Sequence, residues 1–399
     1  MDVSIARKDL EIWAGYLLNH SLEGIRLDDI VMIKGEPITW PLISVLQDKI
    51  FAAGALADVN IVAPDNDRGK VWGASMARFG SISQIEKVPK WHIDRYRAMT
   101  KYIEILGAEN PAMFADLPDD TSKAITIADE PARSIRLLKP WWVLTLYPTK
   151  AFADMEGMTL EEYTDVIVKA STTNPNTLEA AQEEIYNIIA TSNEVRILTS
   201  HHQKGRSLEL CMNINKRKVI KCTGARNFPD GEVFTSPDAS SVHGEIFIDL
   251  PVFYSGVTIQ GIYLHIENGI ITEYQAQEGY DALKKIIETD EGSHRIGEIA
   301  LGMNNGIEKV LKHPLFVEKV GGTLHIAIGA SYPECFVDDP SSESGKKLAD
   351  DLFRQGKLNR SAQHVDIVVD FRPGGAGQTV YFDNRSLEIE NNIWVVPKR

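Results

Sequence analysis

Apolar and polar positions follow two different patterns along the chain, and the change falls near residue 200. Before it, stretches with helical spacing alternate with short apolar runs that read as buried strands. The predicted helices cover residues 5–17, 41–55, 96–105, 180–190 and a stretch from Thr159, and the predicted strands cover residues 30–33, 59–62 and 141–147. Such alternation is typical of a mostly parallel sheet. We therefore predict an N-terminal α/β domain over residues 1–200.

Strands predominate in the rest of the chain. Asn268-Gly269 and Asp383-Asn384 are hairpin turn sequences between apolar runs, and helical patterns recur near residues 282–288 and 345–355. We predict a mixed α+β, strand-rich C-terminal domain over residues 201–399. All candidate site residues fall in this second domain.

Three predicted strands share one feature, at residues 298–302, 325–329 and 364–369. Side chains two positions apart lie on the same face of a strand, so each segment has one apolar face. The opposite faces hold Glu298, His325, and the pair His364 and Asp366, with alanine or glycine beside the first two. Buried imidazoles and carboxylates are costly unless an ion or hydrogen bonds satisfy them. The pattern favours a metal site, while a set of hydrogen-bonded or solvated side chains stays open as the alternative.

Two further residues are candidates for the same site. Glu232 lies in a polar segment with a proline near each end, residues 227–237, which we predict to be a loop ordered by a carboxylate–metal bond. Tyr332 follows His325 beyond the predicted strand end, where its phenol can turn toward an ion or a developing oxyanion. Taken alone, Tyr332 is equally compatible with a packing role.

The types of side chain define the chemistry. Imidazole mixed with carboxylate suits zinc, manganese, cobalt or iron better than a thiolate-rich site would. Several carboxylates with two imidazoles can hold two ions about 3.5–4 Å apart that share a bridging water. Such a pair activates the water and polarises a carbonyl, so hydrolysis of a peptide-like bond is the predicted reaction.

Composition narrows the choice of partners. The 399 residues carry a formal net charge of -14, which argues against nucleic acid or an anionic membrane as partner. No apolar run approaches the roughly 20 residues of a membrane-spanning helix. The three cysteines have no CxxC spacing and cannot all pair, which favours a reducing, cytoplasmic setting.

Six segments, taken in order, resemble the M29 family of metallo-aminopeptidases, the aminopeptidase T and aminopeptidase S group. They are residues 142–149, 157–162, 227–235, 296–301, 325–332 and the closing His364-Val-Asp366. The resemblance implies a dimeric enzyme that removes N-terminal residues from peptides with two divalent ions, zinc, cobalt or manganese. It implies metal ligands at Glu232, Glu298, His325, Tyr332, His364 and Asp366, with Glu232 and Tyr332 also catalytic.

The chain departs from the family pattern at three places. Gly231 stands where the family has a first of two adjacent glutamates, residues 319–321 replace an Asp-Glu-Asn segment, and residues 206–208 replace Thr-Asp-Leu. Two other functions therefore stay open. One is a mononuclear Fe(II) ring-cleaving dioxygenase of the 2,5-dihydroxypyridine dioxygenase type, for which His325, His364 and Asp366 would suffice. The other is a metal-holding protein without catalysis.

Overall fold

The computed structural model describes residues 4–62, 72–111, 113–114, 117–201, 205–254 and 257–397. The chain forms two compact units, Met1–Pro175 with Gly224–Pro229, and Asn176–Thr223 with Asp230–Arg399. The division falls ahead of the predicted boundary near residue 200. The reason is the helix Pro175–Ala190, whose buried isoleucines belong to the core of the second unit.

The first unit is built on a parallel sheet of five strands, as the alternating pattern predicts. The strand order is β2-β1-β3-β4-β8, and every neighbouring pair is parallel. With strands numbered along the whole chain, these are β1 (Ile30–Gly35), β2 (Leu56–Ile61), β3 (Lys101–Leu106), β4 (Trp141–Leu146) and β8 (Asn227–Phe228).

Eight helices are described in this unit. They are α1 (Arg7–Tyr16, continued by one π turn), α2 (Trp40–Ala52), α3 (Ala74–Phe79), α4 (Ile82–Ile85), α5 (Lys90–Ala98), α6 (Asp119–Leu137), α7 (Lys150–Glu156) and α8 (Leu160–Thr172). The predicted start of α8 is confirmed, because the Thr159 hydroxyl accepts from the Glu162 amide and the Glu162 carboxylate accepts from the Thr159 amide.

One predicted helix is wrong. The pattern predicts a helix through Tyr96, Tyr102 and Ile105, but α5 ends at Ala98 and the last two residues lie in β3. β3 is a central strand buried on both faces. A strand of that kind has an almost continuous apolar run, which periodicity cannot distinguish from a buried helix.

The second unit contains two larger antiparallel sheets and a short two-stranded ribbon. The eight-stranded sheet has the order β14-β13-β10-β6-β5-β18-β19-β20, and the five-stranded sheet has the order β17-β16-β15-β9-β7. The strands of the first are β5 (Glu194–His201), β6 (Arg206–Asn213), β10 (His243–Ile248), β13 (Ile262–Glu267), β14 (Ile270–Gln275), β18 (Gly377–Phe382), β19 (Arg385–Glu390) and β20 (Ile393–Val395). The others are β7 (Ile220–Cys222), β9 (Glu232–Thr235), β15 (Ile296–Gly302), β16 (Thr323–Gly329), β17 (His364–Asp370) and the ribbon β11 (Val252–Tyr254) with β12 (Val257–Ile259).

Both predicted hairpins are present, β13–β14 at Asn268-Gly269 and β18–β19 at Asp383-Asn384. The helices of this unit are α9 (Pro175–Ala190), α10 (Tyr280–Ile287), α11 (Pro314–Val317) and α12 (Glu343–Arg354). The predicted combination of an α/β unit and a strand-rich α+β unit is therefore confirmed. None of the helices in the described ranges combines the length and apolar character that a bilayer crossing requires.

One hydrophobic core joins the two larger sheets of the second unit. Ile299, Leu324, Ile326 and Ile367 from the five-stranded sheet belong to the same buried cluster as Ile246 from the eight-stranded sheet. One face of the five-stranded sheet is thus buried in this core. Its opposite face holds the candidate ligands, as the alternation along the three strands predicts.

Candidate metal centre

Small residues face the candidate ligands across the five-stranded sheet. Ala327 of β16 pairs with Glu298 of β15 on one side and with Asp366 of β17 on the other. An alanine between two carboxylates leaves open space above the sheet. The same opposition of ligand and small residue holds for His325 and Ala300, for His364 and Gly329, and for Glu232 and Gly302.

The imidazoles and carboxylates converge in this space. Oε1 of Glu298 lies 3.8 Å from Nε2 of His325, and Oε2 of Glu298 lies 2.9 Å from Nε2 of His364. His364 Nε2 is also 3.5 Å from Oδ1 of Asp366, and His325 Nε2 is 3.4 Å from Oε2 of Glu232. Glu298 and His325 are 3% and 1% exposed. The structure therefore brings five of the six predicted residues into one charged cluster.

Tyr332, the sixth predicted residue, borders this cluster through its ring. Its ring centroid is 4.8 Å from that of His364, edge to face, and 5.0 Å from that of Phe234. The backbone amide of Tyr332 donates to Ser236 Oγ at 3.0 Å, which fixes the start of the turn after β16. Burial and the surrounding carboxylates raise the pKa of Tyr332, so its phenol keeps its proton.

Several polar atoms at the centre have no hydrogen-bond partner among the described residues, although they are buried. They are Glu232 Oε2, His325 Nδ1, His364 Nε2 and Asp366 Oδ1. Nδ1 of His364 faces the Ala330 carbonyl at 2.9 Å, which orients the ring so that Nε2 points into the cluster. Buried polar atoms are normally paired, so four exceptions at one place call for a partner such as a bound ion.

These residues fit a divalent metal ion. In each of three groups, the ligand atoms lie within 4.8 Å of one another. The groups are Glu232 with Glu298 and His325, Glu298 with His364 and Asp366, and Glu318 with His325 and Asp366. Oxygen and nitrogen donors in these numbers match the preferences of zinc, manganese, cobalt and iron.

The sequence prediction missed Glu318 and Lys319, which lie between α11 and β16. The Lys319 ammonium is within hydrogen-bond distance of Glu232 Oε1 and lies 2.7 Å from Glu318 Oε1. The sequence did offer one signal. Glu318 is an acidic residue directly before residues 319–321, where the family resemblance predicts an Asp-Glu-Asn segment. It was missed because sequence position alone does not show that this turn folds over the sheet.

The predicted loop at Glu232 is also corrected. Glu232 begins β9, whose four residues are all buried between β15 and β7. Asn304 connects the start of β9 to the turn that contains Lys319. Its side-chain Nδ2 donates to the Asp230 carbonyl at 2.6 Å, and its backbone amide donates to the Lys319 carbonyl at 2.9 Å. Sheet hydrogen bonds, rather than an ion alone, therefore order the segment.

The cluster holds protons when no cation is bound. Burial alone would lower the pKa of both imidazoles, but the carboxylates outweigh it and raise the pKa of His325 to about 9 and of His364 to about 11. Burial, together with the charges of Asp366 and Glu232, raises the pKa of Glu318 well above its usual range. A metal ion would displace these protons, so metal and proton binding compete.

Asp290 anchors the chain where it enters β17. Its carboxylate accepts from the amides of Ala362 at 2.6 Å and Ser293 at 2.8 Å, and from Ser361 Oγ at 2.8 Å. Partial burial would raise the pKa of Asp290, but these hydrogen bonds lower it to about 2. We expect Asp290→Ala to destabilise the protein by about 1–3 kcal/mol at pH 7, since charged hydrogen bonds are lost.

The pH dependence of this effect has a defined sign. The folded pKa of Asp290 is about 2, and a carboxyl in an unfolded chain has a pKa of about 3.9. The stabilisation is therefore complete above about pH 5 and is lost progressively as the pH falls through 2 toward 1. Denaturant unfolding of wild type and variant should show midpoints that approach each other over this range. The exposed neighbour Glu291, changed to alanine, is the control; a pH-independent difference for Asp290→Ala would contradict the assignment.

The chain matches the family described as thermophilic metalloprotease (M29) over residues 6–373. It therefore belongs to this family. Membership implies use of a metal ion, and the cluster on the five-stranded sheet fits one.

Curated relatives are similar over parts of their length. The chain is 29% identical to aminopeptidase AmpS of Bacillus subtilis over 246 residues, which is 57% of each chain. It is 36% identical to aminopeptidase T of Thermus aquaticus over 147 residues, which is 36% of this chain and 34% of that one. The matches thus span about half or less of the relatives' length.

Two solved structures share the fold. Wild-type AmpT from Thermus thermophilus superposes with a TM-score of 0.74 at 21% identity, covering 98% of this chain and all of the other. The structure of 2,5-dihydroxypyridine dioxygenase from Pseudomonas putida KT2440 has a TM-score of 0.52 at 10% identity, with 99% of each chain covered. At these identities the likeness concerns the fold alone.

Proposed function

We propose that this protein is a metal-dependent aminopeptidase that releases N-terminal residues from peptides. The observation that carries the proposal is the convergence of Glu298, His325, His364 and Asp366 on the open face of the five-stranded sheet, where several buried polar atoms have no hydrogen-bond partner among the described residues. Family membership and the aminopeptidase relatives support the reaction class. Zinc, cobalt or manganese is the proposed metal, as the family resemblance implies, and the oxygen and nitrogen donors suit each of them.

Each side chain has a defined part in the proposed reaction. A bound divalent ion would polarise the scissile carbonyl and lower the pKa of a bound water. Glu298, His325, His364 and Asp366 would hold the ion. Glu232 directs Oε2 into the cluster, which supports the proposed role of orienting the attacking water or accepting its proton.

Tyr332 is the proposed donor to the oxyanion that develops on the carbonyl. Its raised pKa keeps the hydroxyl protonated, which a hydrogen-bond donor requires. Its ring packs edge to face against His364, a contact that restricts its orientation. Tyr332→Phe should therefore lower kcat while metal content stays unchanged.

Metal removal and reloading tests the function. Chelation should abolish hydrolysis of aminoacyl chromogenic substrates and short peptides, and zinc, cobalt or manganese should restore it. The same peptides with an acetylated N-terminus are the control and should be cleaved far more slowly. No turnover by metal-loaded protein would instead support a metal-holding protein without catalysis.

The expected homodimer, peptide substrates and cytoplasmic setting are part of the proposal. The family resemblance supports the dimer, and the three cysteines, all unpaired, are compatible with a reducing compartment. Light scattering after gel filtration should give a mass near twice that of one chain. A monomer at micromolar concentration would contradict the dimer.

A second candidate is the mononuclear Fe(II) dioxygenase. The observation that favours it is the pair of imidazoles with Asp366 on neighbouring strands, which matches a two-His, one-carboxylate set. The fold of this chain is similar to that of 2,5-dihydroxypyridine dioxygenase, so the same scaffold can hold such a site. Oxygen consumption with dihydroxypyridines by Fe(II)-loaded protein, without peptide hydrolysis, would establish it in place of the aminopeptidase.

A further inference from the structure

A lysine side chain is buried beside the candidate metal centre. Lys319 is 1% exposed and lies in the turn between α11 and β16. Its ammonium is within hydrogen-bond distance of Oε1 of Glu232, and it lies 2.7 Å from Oε1 of Glu318 and 3.5 Å from Oδ1 of Asp230. A buried ammonium needs negatively charged partners, and these three carboxylates supply them.

The two oxygens of Glu232 have different surroundings. Oε1 accepts a hydrogen bond from the Lys319 ammonium. Oε2 lies 3.4 Å from Nε2 of His325 and, although buried, has no hydrogen-bond partner among the described residues. A carboxylate can use one oxygen or both toward an ion or a water. The lysine therefore occupies one oxygen of Glu232 and leaves the other to the metal centre.

The backbone holds this ammonium at a fixed place. The Lys319 amide donates to the Phe316 carbonyl at 3.0 Å, and the Lys319 carbonyl accepts from the Asn304 amide at 2.9 Å. Gly302 of β15 permits the close approach, because a Cβ there would lie 2.2 Å from a backbone oxygen of the turn. A donor that is fixed in this way cannot follow Glu232 if that side chain rotates, so the contact favours one orientation of the carboxylate.

The orientation matters for the part that Glu232 has in the proposed reaction. Rotation of Glu232 away from the lysine would break a charge-assisted hydrogen bond and deprive a buried ammonium of one partner. Without the lysine, both oxygens of Glu232 could turn toward a bound ion. A carboxylate that binds the ion through both oxygens is poorly placed to accept a proton from the attacking water.

We propose that Lys319 is a positioning residue, whose ammonium holds Oε1 of Glu232 so that Oε2 alone faces the metal centre. Lys319 acts through Glu232 rather than on the substrate. The inference rests on the aminopeptidase reaction of the proposed function. The orientation of the carboxylate is nevertheless a property that can be tested without turnover.

Substitution of the lysine should change two measured quantities differently. Lys319→Met keeps the length of the side chain and removes the donor, so kcat should fall about 10-fold or more while KM is unchanged. Zn²⁺ affinity, measured by titration into chelated protein, should stay the same or rise, because the released carboxylate can reach the ion. Lys221→Met on β7 is the matched control and should change neither quantity, since its ammonium pairs with Glu183. A parallel loss of Zn²⁺ affinity and kcat in Lys319→Met would indicate a purely structural role and overturn the proposal.

A double-mutant cycle tests whether the lysine acts through Glu232. In a Glu232→Gln background the carboxylate is already gone, so Lys319→Met should lower kcat no further. Circular dichroism confirms that each variant is folded. A second loss as large as the one in the wild-type background would show that the two side chains act independently, which contradicts the proposal.

A crystal structure of the zinc-loaded wild type decides the orientation even if Lys319→Met does not fold. Oε1 of Glu232 should remain on the Lys319 ammonium, with Oε2 toward the ion. Glu232 bound to zinc through both oxygens would overturn the inference even in an active peptidase. The expected orientation in a protein that hydrolyses no peptide would support the inference and contradict the proposed function. Absence of zinc from the cluster would overturn both.

Discussion

Glu298→Gln should lose the bound divalent ion and lower peptide hydrolysis by about 100-fold or more. Even residues that only orient metal ligands change affinity or activity by about 10–100-fold when mutated, so a central ligand should exceed that range. Glu298 is the carboxylate that reaches both imidazoles, at 3.8 Å from His325 and 2.9 Å from His364. Glutamine keeps the volume and removes the charge.

Two measurements separate loss of the ion from loss of the fold. Metal content and affinity are followed by titration with Zn²⁺ into chelated protein, and folding by circular dichroism. Glu273→Gln, at an exposed position on β14, is the matched control and should bind metal as wild type does. A Glu298→Gln protein with full metal content and full activity would remove Glu298 from the ligand set.

Much of the site was predictable because strand periodicity is a local property. The alternation in β15, β16 and β17 separates an apolar face from a polar one, and residues such as Ile326 and His325 lie on the predicted faces. Small residues opposite the ligands were visible in the same segments. In a sheet with one buried face, the alternation of apolar and polar residues along each strand determines which side chains face the core.

Other features depend on contacts that no local pattern records. Tyr102 lies in a central strand although its neighbours suggest a helix, because helix and buried strand look alike over short apolar runs. Glu232 joins a sheet through pairing with β15, which lies more than 60 residues later. Lys319 reaches the cluster only because a turn crosses over Gly302. Long-range approach of this kind has no period in the sequence.

Gly302→Ala should destabilise the second unit by about 1–3 kcal/mol and weaken peptide hydrolysis at least about 10-fold. The added Cβ would lie 2.2 Å from the Val320 carbonyl oxygen, 2.6 Å from Thr323 Oγ1 and 3.0 Å from the Glu318 carbonyl oxygen. Two of these atoms belong to the backbone and cannot rotate away. Overpacking a filled site costs energy of this size.

The activity loss follows from the position of the turn. The turn holds Glu318 and Lys319 against the cluster, so a retreat from Gly302 removes both side chains from their partners. Gly15→Ala in α1 is the control, since nothing lies within 4 Å of the added Cβ and alanine favours a helix. Denaturant unfolding and kinetics on both variants make the comparison. A Gly302→Ala protein as stable and active as wild type would show that the turn is not held where the structure places it.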